Sequence, residues 1–102
     1  MKKVCVVIPA YNEAKVIKEV VRKAKKVFAK ASDYAIDIVV VNDGSSDNTS
    51  EEARKGGAIV IDHILNSGAG GATLTGLAYA RKFGYDTAAT KDADEQRSPD
   101  DD

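Results

Sequence analysis

The stretch "VVVNDGSSDNTSEEA", residues 39–53, decides the fold, because in it a buried strand passes through a polar turn into a helix. The run Ile38–Val41 is β-branched throughout, which is typical of a strand covered on both faces. The run ends at Asn42, and Asp43 follows immediately. Two roles are open for Asp43: it caps the turn at Gly44 through the local backbone, or its carboxylate accepts hydrogen bonds from a bound base or sugar hydroxyl.

The second half of the same stretch predicts a short helix. Thr49 and Glu52 have the spacing of a capping box, and the pair Gly56-Gly57 provides an end. Asp47 lies just before this helix, and we expect it to hydrogen-bond the local turn rather than a ligand. A strand, a turn and a helix in this order predict one unit of an α/β fold.

The same order of elements continues in both directions along the chain. Apolar runs predict strands at residues 3–9, 36–41, 58–62 and 86–90, and helical periodicity and end signals predict helices at residues 13–31, 49–57 and 72–83. The glycine-rich residues 66–71 are interpreted as a flexible loop. Short connections between alternating elements imply parallel strands with right-handed crossovers. We therefore predict a three-layer, Rossmann-like α/β fold: a mostly parallel sheet of about four strands with helices on both faces.

Four unusual segments each follow a predicted strand. In chain order they read "PAYNE", "NDGSSD", "NSGAGG" and "DADEQ". In parallel α/β sheets the ligand crevice lies beyond the carboxyl ends of the strands. Because these ends meet at the same edge of the sheet, the four segments are expected to form one site there.

Two aspartates in the last of these segments, Asp92 and Asp94, are two residues apart. In extended chain this spacing directs both carboxylates to one side, and a divalent cation relieves their repulsion. Oxygen ligands favour Mg²⁺ or Mn²⁺, and Gln96 would add a neutral oxygen. An acidic pair also caps turns, so the metal role is one of two open interpretations. His63, the sole histidine, is interpreted as a loop residue rather than a metal ligand.

Length and composition exclude several classes of function. The 102 residues suffice for one small domain, and 15 basic against 16 acidic side chains give no overall attraction to nucleic acid or an anionic membrane. No apolar run reaches the roughly 20 residues that a membrane-spanning helix needs. The single cysteine, Cys5, excludes an internal disulfide and is compatible with a reducing cytoplasm.

Taken together, the four segments resemble the motifs of family 2 glycosyltransferases, whose nucleotide-binding half has the GT-A fold. "VVIPAYNE" is similar to the opening of that family, "VVVNDGSSDNT" to its second motif, "LNSGAGGATLTGLAYA" to its third and "DADEQRSP" to its metal motif. The resemblance runs from about Lys3 to Asp101, and it favours the branch of polyprenyl-phosphate sugar transferases such as dolichyl-phosphate mannose synthase.

The resemblance implies binding of a nucleotide diphosphate sugar, linked to GDP or UDP, together with Mg²⁺ or Mn²⁺. The implied nucleotide-sugar-binding residues are Pro9, Tyr11, Glu13, Val41, Asp43, Asp92, Ala93 and Asp94. The implied metal ligands are Asp92, Asp94 and Gln96. The implied reaction is sugar transfer to an acceptor, for which the branch suggests a polyprenyl phosphate. Asp43 is thereby favoured as a nucleotide contact over a turn cap alone.

In this family a second half, which carries the acceptor site and the catalytic base, follows the metal motif, so no catalytic residue is assigned here. We expect residues 1–102 to form a single nucleotide-sugar-binding domain that lacks this C-terminal acceptor half. The function stays open between a glycosyltransferase, a catalytically silent nucleotide-binding or assembly module, and one half of a two-chain enzyme. An uncovered sheet edge at the fourth strand predicts a homodimer or a partner chain. The expected location is cytoplasmic, at the periphery of a membrane.

Overall fold

Strands and helices alternate strictly along residues 1–93, which are the residues that the computed structural model describes. The elements are β1 (Lys2–Ala10), α1 (Ile17–Phe28), β2 (Tyr34–Asp43), α2 (Thr49–Gly56), β3 (Ile59–His63), α3 (Gly68–Lys82) and β4 (Thr87–Thr90). The strands form one sheet in the order β3-β2-β1-β4, and every neighbouring pair is parallel. This confirms the predicted parallel α/β sheet of four strands.

Helices cover both faces of the sheet. On one face α1 and α2 pack on alternate residues of the two central strands, among them Val6, Ile8 and Val40. On the other face α3 packs on the intervening residues, including Val7 and Val39. Both sets are almost fully buried, which explains why the central strands are apolar throughout. The predicted three-layer arrangement is therefore confirmed.

Helix α1 is shorter than the predicted span of residues 13–31. The carbonyl of Glu13 accepts hydrogen bonds from the backbone N–H groups of Val16 and Ile17, so a turn precedes the helix. After Phe28 the chain continues in turns, in which the N–H of Ala31 donates to the Phe28 carbonyl. The residues before the helix instead lie at the carboxyl end of β1, beside the second polar segment.

Helix α3 corrects the interpretation of residues 66–71 as a flexible loop, because it begins at Gly68 and includes the following glycines. Its buried residues Ala72, Gly76 and Ala80 are four apart, so a strip of small side chains faces the sheet. A Cβ built on Gly76 would lie 2.1 Å from Cγ1 of Val7. The glycine therefore allows α3 to lie directly against β1, and tertiary packing outweighs the low helix propensity of the glycines.

The direction of winding reverses beside β1. The chain passes from β1 to β2 and β3 on one side, and α3 then returns it to β4 on the other side. Ligand crevices of open α/β sheets lie at this reversal, beyond the carboxyl ends of the strands. The end of β1 and the residues that follow β4 therefore form the expected position of a site.

None of the helices in residues 1–93 combines the length and the apolar character that crossing a membrane requires.

Candidate functional site

A cleft of about 360 Å³ opens at the carboxyl ends of the strands, where the winding reverses. Six residues singled out from the sequence line it: Pro9, Tyr11, Glu13, Asp43, Asp92 and Ala93. They come from three separate segments, which follow or end β1, β2 and β4. Another wall of the cleft is formed at the start of α3 by Asn66, Gly68 and Ala69. The convergence that the sequence predicted at this edge is present in the fold.

Of the remaining candidate residues, one is described by the structure and two are not. Val41 is 0% exposed and packs in the core beneath α3, so its side chain does not reach the cleft. Asp94 and Gln96 lie outside the described residues. Their predicted roles in binding the metal and the diphosphate stay predictions.

Asp92 is held at the cleft by its two neighbours. The backbone N–H of Lys91 donates to the carbonyl of Val7 at 3.0 Å, which extends the β1–β4 pairing beyond Thr90. Ala93 is 4% exposed and packs in the core on the α1 face. Between these two anchors the Asp92 carboxylate is exposed and lines the cleft.

The donor chemistry at this position fits a hard divalent cation, because an exposed carboxylate oxygen is a preferred ligand of Mg²⁺ and Mn²⁺. Within residues 1–93, however, no group of three or more His, Cys, Asp or Glu side chains is placed to hold a metal ion. Among the described residues, Asp92 would therefore supply one ligand of the predicted set, which also includes Asp94 and Gln96.

Asp43 is almost completely buried, with 3% of its surface exposed, and several donors converge on one of its oxygens. Oδ1 accepts hydrogen bonds from the Ser67 backbone N–H at 2.9 Å and the Ser67 hydroxyl at 2.7 Å, and it lies 2.8 Å from His63 Nδ1. Burial raises the pKa of Asp43, but hydrogen bonds from His63, Ser67 and the Gly68 backbone outweigh it and lower the pKa to about 2. Asp43 is therefore ionised at neutral pH.

The turn at Gly44 is capped by another residue. The side-chain oxygen of Asn42 accepts the backbone N–H of Ser45 at 3.1 Å, which closes this turn. Asp43 instead accepts hydrogen bonds from backbone N–H groups at the start of α3. Its negative charge also interacts favourably with the positive end of the helix dipole. Its structural role is thus a cap on a helix more than 20 residues away in sequence, since Ser67 is separated from it by 24 positions.

His63 is the last residue of β3, which corrects its interpretation as a loop residue. It is paired in register with Asp43, the last residue of β2. Its Nε2 lies 2.8 Å from the hydroxyl oxygen of Thr75 in α3. The parallel register of two strands that both end in a titratable residue was the signal that could have revealed this pair.

Asn12 joins the loop after β1 to the loop after β2. It has a left-handed backbone, with φ of 53°, and its side-chain oxygen accepts the backbone N–H of Ser46 at 2.9 Å. Its own backbone N–H donates to the hydroxyl of Ser45 at 2.8 Å. These hydrogen bonds fix the chain next to Tyr11, a residue that is 49% exposed and lines the cleft.

Asp47 strengthens the same connection. Its carboxylate accepts the backbone N–H of Thr49 at 3.0 Å and that of Ala14 at 3.2 Å, which confirms its expected work in the local turn. The Thr49 hydroxyl accepts the backbone N–H of Glu13 at 3.0 Å and donates to Asp47. The helix starts at Thr49 as predicted, but its N-cap residue is Asn48, which makes no side-chain capping hydrogen bond. The Thr49 hydroxyl bonds Glu13 and Asp47 instead, so the capping-box interpretation is wrong.

We expect Asn12→Ala to lower the free energy of unfolding by about 1–2 kcal/mol, since it removes the acceptor for Ser46 and places a Cβ in a left-handed residue. Asn12→Gly is the matched control, because it loses the acceptor but tolerates the backbone. Urea unfolding of both variants separates the two contributions. Equal stability of Asn12→Ala and the parent chain would show that the contacts of Asn12 with the loop after β2 contribute nothing to the free energy of unfolding.

A family model described as "Glycosyl transferase family 2" matches residues 5–102. The chain belongs to glycosyltransferase family 2. The matched range includes all the segments that line the cleft, so the resemblance noted in the sequence is confirmed.

Several relatives of this family member transfer sugars to lipid phosphates, as their names state. It is 40% identical over 117 residues to the UDP-N-acetylglucosamine–dolichyl-phosphate N-acetylglucosaminyltransferase of Methanococcus voltae, a match that covers 98% of this chain and 44% of the relative. It is 33% identical over 105 residues to the undecaprenyl-phosphate 4-deoxy-4-formamido-L-arabinose transferase of Salmonella choleraesuis, covering 97% of this chain and 31% of the relative. The chain thus spans less than half the length of these relatives.

Solved structures agree on the fold. The glucosyl-3-phosphoglycerate synthase of Mycobacterium tuberculosis, in complex with Mn²⁺, UDP-glucose and phosphoglyceric acid, is similar with a TM-score of 0.71 and 25% sequence identity. The match covers 91% of this chain and 33% of the synthase. The Rossmann-like sheet of this family 2 member is therefore that of the GT-A glycosyltransferases.

Proposed function

We propose that the cleft binds a nucleotide diphosphate sugar, linked to UDP or GDP, together with Mg²⁺ or Mn²⁺, for sugar transfer to a polyprenyl phosphate. The observation that carries this proposal is the meeting of six motif residues from three segments around one cleft at the winding reversal. Ligands of open α/β sheets bind at this position. The Mn²⁺ and UDP-glucose in the similar synthase structure support the choice of ligand and cation.

The described residues suit different parts of such a ligand. The half-exposed ring of Tyr11 offers an apolar face on which a base can stack. Asp43 offers an ionised oxygen that accepts a hydrogen bond from an N–H group. Asp92, with Asp94 and Gln96, would hold the divalent cation beside the diphosphate. When bound, that cation would stabilise the negative charge that develops on the leaving diphosphate.

The acceptor part of the proposal is supported by the names of relatives, which act on dolichyl and undecaprenyl phosphates. A polyprenyl acceptor lies in a membrane, so the proposed place of action is the cytoplasmic surface of a membrane. The proposal assigns no catalytic base to the described residues. A homodimer or a partner chain along β4, where the sequence predicts an uncovered edge, remains a prediction that light scattering tests.

The test is calorimetric titration of the whole chain with UDP-N-acetylglucosamine, UDP-glucose and GDP-mannose, each with and without Mn²⁺. We expect one of these donors to bind in the presence of Mn²⁺. Asp92→Asn, which keeps the side-chain shape but removes the charge, should weaken Mn²⁺-dependent binding by about tenfold or more.

Asp33→Asn is the matched control, because Asp33 is exposed and precedes β2, at the opposite edge of the sheet from the cleft. It should bind like the parent chain. If none of the three donors binds, the nucleotide-sugar proposal fails. If binding is equal without Mn²⁺ or in Asp92→Asn, the metal part fails. Binding without transfer to polyprenyl phosphate would favour the silent binding module.

A further inference from the structure

A line of hydrogen bonds connects the cleft to the middle of α3 through a single imidazole. Nδ1 of His63 lies 2.8 Å from Oδ1 of Asp43, and Nε2 lies 2.8 Å from Oγ1 of Thr75. The three residues belong to β2, β3 and α3. Both ring nitrogens of the sole histidine are therefore engaged, one on each side.

The ionised state of Asp43 determines which nitrogen carries the proton. A carboxylate only accepts hydrogen bonds, so the short contact requires a proton on Nδ1 of His63. In the neutral imidazole, Nε2 is then an acceptor and receives the hydroxyl proton of Thr75. The structure thus calls for the Nδ1–H tautomer of His63.

These contacts also determine which atom of Asp43 is left for a ligand. Oδ1 accepts hydrogen bonds from Nδ1 of His63 and from the backbone N–H and hydroxyl of Ser67. All three donors belong to the protein itself. Asp43 nevertheless lines the cleft. Oδ1 is occupied from three directions, and the Gly68 backbone also donates to the carboxylate. The carboxylate therefore cannot rotate without breaking several hydrogen bonds, and Oδ2 is the less occupied oxygen, the one toward which a ligand can donate.

We infer that His63 is a positioning residue for base recognition: it holds Asp43 so that Oδ2 accepts an N–H group of the base. This inference rests on the proposed function, in which a nucleotide occupies the cleft. Uracil and guanine present a ring N–H on their pairing edges, whereas cytosine and adenine present a ring nitrogen lone pair. A fixed carboxylate attracts the first pair and repels the second.

A purely structural role for His63, as a joint between β3 and α3, makes a different prediction. Loss of a structural contact between β3 and α3 would lower the stability of the fold and weaken the binding of every nucleotide to the same extent. Loss of a positioning residue lets the carboxylate turn, so UDP loses affinity while CDP does not. The ratio of UDP to CDP affinity therefore distinguishes the two roles.

The experiment measures UDP and CDP binding to the parent chain, His63→Leu and His63→Asn, with circular dichroism melting to verify folding. Leucine removes the donor to Asp43, and asparagine retains an N–H donor near the position of Nδ1. We expect the preference for UDP to fall about tenfold in His63→Leu and to be largely restored in His63→Asn. Thr75→Val, which removes the hydroxyl beside Nε2, should reduce the preference less.

A second measurement does not depend on nucleotide binding. Because the chain has one histidine, nitrogen-15 NMR of the imidazole gives an unambiguous signal pair, and Nδ1 should carry the proton at neutral pH. A dominant Nε2–H tautomer would overturn the inference, as would an unchanged preference for UDP in His63→Leu. If the donor titration selects GDP-mannose, GDP and ADP take the places of UDP and CDP, since guanine presents a ring N–H and adenine a lone pair. If the parent chain binds none of these nucleotides, the proposed function fails and the recognition role falls with it. Binding that keeps its selectivity in His63→Leu overturns the role of His63 alone.

Discussion

Gly76→Ala is expected to lower the free energy of unfolding by about 3 kcal/mol, because no space exists for a methyl group between α3 and β1. A Cβ at this position would lie 2.1 Å from Cγ1 of Val7 and 2.9 Å from its Cγ2. Val7 is fully buried in a strand that is paired on both sides, so it cannot move away. The helix would have to shift off the sheet, and the start of α3 beside the cleft would shift with it.

Urea unfolding measures this effect, and Gly70→Ala is the matched control in the same helix. A Cβ on Gly70 meets no atom within 4 Å, so this change should be neutral or stabilising by about 0.5 kcal/mol. Val7→Ala combined with Gly76→Ala should be more stable than the sum of the two single changes predicts, since each relieves the other. Equal stability of Gly76→Ala and Gly70→Ala would contradict the close packing described here.

Asp43→Ala is expected to lower the free energy of unfolding by about 3 kcal/mol at neutral pH. It leaves His63 and the backbone N–H of Ser67 without their acceptor in a buried site. It also removes the negative charge at the start of α3. The loss should weaken α3 first, so amide hydrogen exchange in α3 should accelerate before that in β1 and β2.

The contribution of Asp43 should also depend on pH. Its pKa is lowered from 3.8 to about 2 in the folded chain, so the folded state favours the ionised form. Stability from this group, about 2 kcal/mol, is therefore present above about pH 4 and is lost as the pH falls through about 2. Asp43→Asn lacks this portion of the acid dependence, so the stability difference from the parent chain should shrink between neutral pH and pH 2.

Asp47 and Asp62 also have lowered pKa values, owing to hydrogen bonds that outweigh burial, so the Asn variant will keep part of the acid dependence. Only the difference between the two chains isolates Asp43. A stability difference for Asp43→Asn that stays constant from pH 7 to about pH 2 would show that its carboxylate has an ordinary pKa.

Much of this architecture was predictable because strand and helix periods are local properties of the sequence. The apolar runs located β1 and β2, and the parallel topology then placed Tyr11, Asp43 and Asp92 at one edge. The start of α3 was not predictable from its own residues, since three of its first four residues are glycines, which are poor helix formers. Its cap is supplied by Asp43, through a contact between elements that are remote in sequence.

The missed contribution of His63 has the same origin. A lone histidine carries no motif, and its role depends on the register between β2 and β3 and on Thr75 in a later helix. Val41 shows the opposite case, since a residue implied by family resemblance has its side chain in the core. Sequence motifs identify the strand end at which a site lies. Whether each side chain there faces the cleft or the core is determined by packing.

The reversal of winding at β1 also has a consequence for the order in which the cleft forms. β1 pairs with β2 through residues about 30 apart, such as Val4 and Ile36, but Val4 pairs with Thr87 only after α3 has crossed the sheet. Contacts that close longer loops tend to form later during folding. The base side of the cleft is thus expected to begin assembling early, and the Asp92 side to wait for the docking of α3. During refolding, the part of the cleft around Asp92, which is proposed to bind the cation and the diphosphate, should therefore become able to bind last.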